Sequence, residues 1–291
     1  MMEQPAASAT IRRSIPGYGW IGAGLVLVFW LLNWGLPGAR THWGFFPLWL
    51  GYCLTVDALV YLRKGTSLLR RDWRKYIGLF LLSAPVWWLF EALNSRLQNW
   101  HYEGIEFFSR EEFWFWASIN FTTVIPAVFG SAELVSTFRF IRRLPDGPRI
   151  RPERWTTLAF FAAGLFMLAL MLIWPLLFFP FLWISIYFVT EPLNIWLGNP
   201  HLARHTQSGD WKPVITMWLG ALMTAFFWEL WNYFSYPKWV YHVPWGNCCH
   251  VFEMPLLGYG GYMPFALELY ALYNLALGLA GRKDGNYVRL N

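Results

Sequence analysis

Long apolar runs restrict the possible folds of this sequence more than any other feature. Each run reaches or approaches the length of about 20 residues that a helix needs to cross a hydrocarbon core of about 30 Å. The eight runs cover residues 17-37, 44-62, 76-95, 113-138, 156-174, 178-197, 213-235 and 260-281. The chain is 56% hydrophobic and 14% charged, whereas about a quarter of the residues in a soluble domain are charged. We therefore predict an all-α polytopic membrane protein with eight transmembrane helices.

Lysine and arginine are distributed unevenly among the connections between these predicted helices. The two terminal tails and the connections 63-75, 139-154 and 198-212 carry 19 of the 23 basic residues. Basic residues concentrate on the cytoplasmic side of membrane proteins, so both termini are predicted to be cytoplasmic, with a bacterial inner membrane as the expected location. The connection 63-75 is expected to contact anionic membrane lipids. The net charge of +6 thus follows membrane topology, and we predict no nucleic-acid partner.

Residues of the same type recur at a nearly constant spacing. The pairs 138 positions apart are Asp72 and Asp210, Glu91 and Glu229, Asn94 and Asn232, and Pro126 and Pro264; Trp100 and Trp239, and Tyr102 and Tyr241, are 139 apart; Phe46 to Asp57 resembles Phe179 to Glu191 at a spacing near 134. This series predicts two tandem four-helix repeats, 1-150 and 151-291. Because four spans are an even number, the halves would share one orientation and be related by a pseudo-two-fold axis along the membrane normal.

A Glu-x-x-Asn element lies inside an apolar, tryptophan-rich run of each half. Glu91 and Asn94 form the first element, and Glu229 and Asn232 form the second. Side chains three positions apart share one face of a helix. Ionisable groups within a membrane are functional by default, and two neighbouring buried carboxyl groups do not both ionise easily. We predict that these four residues are catalytic; the alternative is that they only bond neighbouring helices together.

Aromatic residues follow each of these elements, and a glycine-rich segment precedes the last predicted helix. The predicted substrate-binding residues are Trp100, Tyr102, Trp239, Tyr241 and Glu268. Segment 250-268 is predicted to be re-entrant or to line the site, because glycine and proline disturb helical backbone at its centre. The alternatives are an ordinary loop for this segment, and packing or interface anchoring for the aromatic side chains.

Histidine, cysteine and glutamate are densest between positions 242 and 253. The residues concerned are His242, Cys248, Cys249, His250 and Glu253. These side chain types bind zinc and other transition metals, but their spacing matches no defined metal motif. We predict no metal, and assign His250 and Glu253 as catalytic residues that complete the outer part of the site. A vicinal disulfide or simple loop residues are the alternatives.

Several recognisable motifs are missing from the sequence. It contains no phosphate loop, Ser-His-Asp pattern, dinucleotide fingerprint or multi-histidine box. The arrangement of glutamates, Trp-x-Tyr and proline in duplicated membrane halves resembles integral-membrane carotenoid cyclases and hydratases, and we transfer no residue role from this resemblance. We predict an intramembrane enzyme that acts by acid-base chemistry on an apolar lipid or isoprenoid at the interface of the two halves. A proton-coupled transporter or carrier and a structural subunit of a membrane complex remain alternatives, and the sequence identifies neither a cofactor nor a protein partner.

Overall fold

The computed structural model of the chain describes residues 13–282 and 287–290, which are mainly helical. Arg12 and Lys283, two of the basic residues in the predicted cytoplasmic tails, lie outside these ranges. The α-helices of the described residues are α1 (Gly17–Gly35), α2 (Thr41–Lys64), α3 (Leu68–Arg71), α4 (Trp73–Leu97), α5 (Arg110–Phe121), α6 (Val124–Ser136), α7 (Arg139–Arg142), α8 (Arg154–Ile173), α9 (Pro175–Phe178), α10 (Ser185–Trp196), α11 (Ala203–Thr206), α12 (Lys212–Tyr233) and α13 (Tyr259–Leu279).

Helices that could cross a membrane account for most of the predicted spans. Within the described part of the chain, six helices are long and apolar enough, with α5 and α6 together counted as one, or up to seven if a bent pair forms one more span. The predicted eighth span is present as α13, which is 21 residues long but is not among these candidates. It contains Glu268, Asn274 and four tyrosines, which lower its hydropathy. The structure thus supports a helical membrane protein with six or seven candidate spans.

The sixth predicted span, 178-197, is a broken helix. Helix α9, the 3₁₀ helix Phe179–Trp183 and α10 follow one another, with a bend of 43° between the segment Pro175–Trp183 and α10. Proline lies at the first or second position of α9 and of the 3₁₀ helix, where it is compatible with a helix start. At the break, the fully buried Glu268 accepts a hydrogen bond from the backbone N–H of Ile186 through Oε1 at 3.1 Å. Glu268 therefore caps the start of α10.

Helices α1 and α2 pack closely because glycines face each other. A Cβ placed on Gly22 would lie 2.8 Å from the carbonyl oxygen of Gly51, and one on Gly51 would lie 2.7 Å from the carbonyl oxygen of Gly22. Small residues allow such backbone approach between membrane helices, where van der Waals packing drives association.

The basic connections lie together at one end of the helices. Arg71, the last residue of α3, forms an ion pair with the buried Glu133 of α6. The hydroxyl of Tyr287 in the C-terminal segment donates to the carbonyl of Leu68 at 3.1 Å, and the indole of Trp211 donates to the carbonyl of Pro148 at 2.8 Å. Three basic connections and the C-terminal segment are thus held by long-range contacts.

Two carboxylates cap the short helices of this basic end. Asp57 accepts a hydrogen bond from the backbone N–H of Leu69 in α3 at 3.0 Å, and Glu191 accepts one from Ala203 in α11 at 2.9 Å. Negative side chains stabilise the start of a helix because its first N–H groups lack partners. The carboxylates are 134 positions apart, and so are the residues that they cap.

Within the described residues, four short strands lie at the end of the helices opposite the basic connections. The fold is therefore mainly helical and not all-α as predicted. The strands are β1 (Trp100–Glu103), β2 (Lys238–Tyr241), β3 (His250–Val251) and β4 (Met254–Pro255). Strand β1 pairs antiparallel with β2, and β3 pairs with β4. In the first pair, Trp100 lies opposite Tyr241 and Tyr102 lies opposite Trp239. The two Trp-x-Tyr segments therefore form one small sheet.

Candidate functional site

Asn94 and Asn232 connect a membrane helix to the strand that follows it. Asn94 accepts backbone hydrogen bonds from Asn99 at 2.8 Å and Trp100 at 3.3 Å, and its Nδ2 donates to the carbonyl of Trp100 at 2.8 Å. Asn232 accepts from the backbone N–H of Trp239 at 3.0 Å and donates to its carbonyl at 2.7 Å. Both asparagines are buried. Their amides therefore fix the two strand tryptophans in place.

Glu91 is the acceptor of three aromatic donors. Its Oε1 receives the indole N–H of Trp87 at 2.9 Å, the indole N–H of Trp100 at 3.1 Å and the hydroxyl of Tyr102 at 2.5 Å. Hydrogen bonds to a carboxylate are stronger than those between neutral groups. Glu91 thus orients three rings at once.

Glu229 has the corresponding position in α12. Its Oε1 accepts the hydroxyls of Tyr241 at 2.7 Å and Tyr262 at 2.6 Å, and the indole of Trp239 donates to the Tyr241 hydroxyl at 2.9 Å. The residue is fully buried, and its second oxygen, Oε2, has no hydrogen-bond partner in the described part of the chain. This carboxyl group is therefore connected to two phenolic hydroxyls and retains one unpaired oxygen.

A cavity of about 200 Å³ lies between these two clusters. Its lining includes α2, α4, α5, both strands of the first sheet, the 3₁₀ helix at the broken span, α12 and α13, and most lining side chains are aromatic or aliphatic. The rings that donate within the two glutamate clusters all line it: Trp87, Trp100, Tyr102, Trp239, Tyr241 and Tyr262. The donors of both carboxyl groups thus share one cavity.

The predicted site residues separate into those that line this cavity and those that support the lining. Trp100, Tyr102, Trp239 and Tyr241, predicted to bind substrate, line the cavity. The residues behind or beyond the wall are Glu91, Asn94, Glu229, Asn232 and Glu268, which are not part of the lining. The glutamates therefore reach the cavity through the aromatic rings that they hold, and the catalytic and substrate-binding roles stay predictions.

The tyrosine hydroxyls of the two strands are in an apolar environment. Burial raises the pKa of Tyr102 and Tyr241 well above the ordinary value of a phenol, and the neighbouring carboxyl groups of Glu91 and Glu229 raise it further. Both phenols therefore keep their protons at neutral pH and act as hydrogen-bond donors.

The structure does not bring the outer residues His250 and Glu253 together as an acid-base pair. His250 Nε2 contacts Asn247 Oδ1 at 2.9 Å, and Glu253 forms an ion pair with Lys238. Neither residue lines the cavity, whereas Lys238 does. Glu253 therefore holds a basic side chain at the cavity wall.

The thiols and histidines of this outer segment form no ligand cluster. Cys248 and Cys249 are exposed free cysteines. No group of three His, Cys, Asp or Glu side chains within residues 13–282 and 287–290 has the arrangement to hold a metal ion.

The sequence interpretation missed six polar residues of the cavity wall. They are Thr41, His42, Asn99, Asn120, Thr123 and Lys238. Asn99 and Lys238 directly precede Trp100 and Trp239 and are 139 positions apart, so the repeat spacing could have indicated both. His42 and Asn120 carry no such signal, because only the packing of α2 against α5 brings them to one wall.

Comparison with protein-family models, with curated proteins and with solved structures finds no match for this chain.

Proposed function

We propose that this membrane protein is an enzyme that binds the unsaturated end of an apolar, isoprenoid-like lipid in the aromatic cavity and transforms it by proton transfer. The observation that carries the proposal is the connection of two glutamates, the half-buried Glu91 and the fully buried Glu229, to one cavity through aromatic donors. The reaction class is protonation of a carbon–carbon double bond followed by loss of a proton from a neighbouring carbon, as in isomerisation or cyclisation. Such a reaction balances without an oxidant or reductant.

The aromatic wall supports cationic chemistry. The faces of Trp, Tyr and Phe rings attract positive charge, and this attraction strengthens where water is excluded. Trp87, Trp183 and Phe265 line the cavity, and both tryptophans contact Phe265, with centroid distances of 5.9 Å from Trp87 and 5.7 Å from Trp183. A positive charge that develops on the lipid would be surrounded by such rings.

The hydrogen-bond geometry around Glu229 supports a route for the proton. Tyr241 and Tyr262 line the cavity and both contact Glu229 Oε1. A hydroxyl group both donates and accepts, so a tyrosine that gives its own proton to the ligand would take one in turn from the protonated carboxyl group of Glu229. Loss of a proton from the product cation, back through the same groups, would restore the starting state. In this scheme Glu229 is the proton reservoir, the two tyrosines are the groups that touch the substrate, and Glu91 orients the opposite wall.

The size of the cavity favours a ligand that is longer than the cavity and enters it with one end only. Sites for drug-sized ligands enclose about 300–1,000 Å³, whereas this cavity measures about 200 Å³. A lipid whose reactive end enters the cavity would leave the rest of its chain among membrane lipids.

We further infer that the two halves are related by the pseudo-two-fold axis that the sequence spacing predicts. The matching bonds of Asn94 to Trp100 and of Asn232 to Trp239 support it. The register of the small sheet also supports this axis. A two-fold axis through the centre of the sheet would place Trp100 on Trp239 and Tyr102 on Tyr241, and would thus exchange the pairs Trp100–Tyr241 and Tyr102–Trp239.

Packing between the halves gives independent support for this axis. Trp49 contacts Trp228 with a centroid distance of 5.4 Å, and Trp183 contacts Phe90 at 6.1 Å. The spacings of 134 and 138 positions relate Trp49 to Trp183 and Phe90 to Trp228. The cavity, walled by both strands of the sheet, would then lie near the axis.

Solvent deuterium tests the proposed chemistry. Membranes that contain the protein are incubated in D₂O, and the lipids are extracted and analysed by mass spectrometry. A substrate that is protonated and deprotonated at carbon gains deuterium, and the Glu229→Gln protein should lose this incorporation, because glutamine keeps the size of the side chain but carries no transferable carboxyl proton. Incorporation that is unchanged in Glu229→Gln contradicts the proposal, provided that both proteins are present at equal levels.

The broken span favours a second candidate, a carrier. Discontinuous helices form the central sites of many transporters, and Phe179 and Trp183 of the broken span line the cavity. A carrier moves its lipid or solute without changing it. Transfer of the extracted ligand between leaflets of proteoliposomes, with no deuterium incorporation, would favour this candidate over the enzyme.

A further inference from the structure

Asn99 presents an unused amide to the aromatic cavity. The residue is only 3% exposed and lines the cavity, yet neither Nδ2 nor Oδ1 has a hydrogen-bond partner in the described part of the chain. Its backbone is fully engaged: the N–H donates to Asn94 Oδ1 at 2.8 Å, and the carbonyl accepts from the N–H of His242 at 2.7 Å. The backbone is fixed, and the side chain is left for another partner.

A second asparagine of the cavity wall also has an unpaired oxygen. Asn120 lines the same cavity from α5, and its buried Oδ1 has no hydrogen-bond partner among residues 13–282 and 287–290. Buried polar atoms nearly always have a hydrogen-bond partner, because leaving one unpaired costs stability. The unpaired amide of Asn99 and the unpaired amide oxygen of Asn120 on the wall of one apolar cavity therefore indicate a ligand that carries a polar group.

Three classes of polar group can be compared with the wall. An amide offers one donor group and one acceptor, and a hydroxyl group satisfies both, whereas a carbonyl uses only the donor. A phosphate or carboxylate needs positive charge, but Lys238, the one Lys or Arg among the described lining residues, is paired with Glu253. A hydroxyl group fits the wall best.

We infer that the ligand of this cavity is a prenyl alcohol, whose hydroxyl group is bound by Asn99 while its unsaturated chain contacts the aromatic wall. This inference deepens the proposed function and rests on it, since it specifies the substrate class for the same cavity. Asn99 acts in binding and specificity: a site built around a hydrogen bond rejects a ligand that lacks the matching group.

Binding of matched ten-carbon probes tests the inference. Geraniol, geranyl phosphate and the hydrocarbon myrcene are titrated into the full-length protein in a mild detergent, and quenching of tryptophan fluorescence reports binding. Geraniol should bind roughly tenfold more tightly than myrcene, as expected for one hydrogen bond to an otherwise unpaired buried group. Geranyl phosphate should bind more weakly than geraniol.

Two asparagines form the matched pair of variants. Asn33 is fully buried, and its two amide atoms, like those of Asn99, have no hydrogen-bond partner among the described residues, but it is not part of the cavity lining. Asn99→Leu should abolish the preference for geraniol and retain myrcene binding, whereas Asn33→Leu should keep the preference. Partition of the probes into detergent affects the wild-type protein and the variants equally. It therefore cancels when the ratio of geraniol to myrcene affinity is compared between these proteins. Asn99→Ala removes the same amide without added bulk and replaces Asn99→Leu if leucine disturbs folding.

The outcomes separate this inference from the proposed function. Equal binding of geraniol and myrcene, a preference that persists in both Asn99 variants, or tighter binding of geranyl phosphate would overturn recognition of an alcohol and leave the apolar cavity intact. No binding of any probe would overturn both.

Discussion

At the residue scale, two neighbouring asparagines have opposite roles. Asn94 uses both amide atoms to hold the backbone of residues 99 and 100, whereas Asn99 uses neither. The Glu-x-x-Asn spacing predicted that Asn94 would lie beside Glu91 on α4, and the Trp-x-Tyr spacing led to Trp100 and Tyr102, which line the cavity. The sequence could not show that the two glutamates lie behind the aromatic rings of the cavity wall. This arrangement depends on the three-dimensional positions of the hydroxyl and indole groups that donate to the glutamates.

The structural role of Asn94 is testable by truncation. Asn94→Ala should lower the free energy of unfolding by about 2–3 kcal/mol, because it leaves buried backbone groups without their partner. Thermal unfolding in detergent gives the comparison. The control is Ser95→Ala, an exposed neighbour whose hydroxyl bonds only to the carbonyl of Ala92, which should change stability by less than about 0.5 kcal/mol. Equal effects of the two substitutions would contradict this role.

At the element scale, the broken span and the small sheet depart from the sequence prediction. The prolines of the segment 175-183 are visible in the sequence, but the cap that Glu268 places on α10 comes from a helix about 80 positions away. Strands β1 and β2 are four residues each and pair across more than 130 positions. Neither contact has a local signal, whereas the long helices follow directly from apolar length.

Glu268 should stabilise the broken span through its acceptor oxygen. Glu268→Leu should lower the free energy of unfolding by about 1–3 kcal/mol, because the first N–H groups of α10 lose their cap in an apolar environment. Glu268→Gln keeps an acceptor oxygen and should retain most of the stability. The comparison again uses thermal unfolding, and a Gln protein as unstable as the Leu protein would argue against a capping role.

At the scale of the whole molecule, charge distribution and the position of the cavity suggest the orientation. The connections 139-154 and 198-212 contact each other at one end, where the C-terminal segment contacts the connection 63-75. The small sheet and the cavity lining that it contributes lie toward the other end. The positive-inside rule therefore predicts that the cavity lies toward the outer side of the membrane.

Cysteine labelling checks this orientation. Cys248 and Cys249 are exposed, and Cys53 is buried. A membrane-impermeant maleimide should label the protein in intact cells, and a Cys248→Ser, Cys249→Ser double variant should lose this labelling. Labelling that requires permeabilised cells would reverse the assigned orientation.

Acid should weaken the basic end through His201, which lies between α10 and α11. Burial, together with the nearby Arg204 and His205, lowers the pKa of His201 to about 4. Below the ordinary pKa of about 6.5, the unfolded chain binds a proton that the folded protein does not. Stability should therefore fall as the pH drops from about 6.5 to about 4, with no contribution above this range.

Thermal unfolding of His201→Gln against pH isolates this contribution. The variant should lose less stability than the wild-type protein between pH 6.5 and 4.5, and the two should have parallel profiles above pH 7. Profiles that are parallel over the whole range would exclude His201 as the source of acid sensitivity.

Mass spectrometry of lipids that co-purify with the protein tests the central claim most directly, namely that the aromatic cavity binds the end of an apolar lipid. Ala117 lines the cavity, so Ala117→Trp fills it. Gly24→Trp adds the same side chain on α1, where a Cβ on Gly24 would have no atom of a neighbouring described helix within 4 Å. We predict a stoichiometric prenyl lipid in the wild-type and Gly24→Trp proteins and its loss from Ala117→Trp. Wild-type protein without such a lipid, or equal lipid content in all three proteins, would contradict the account.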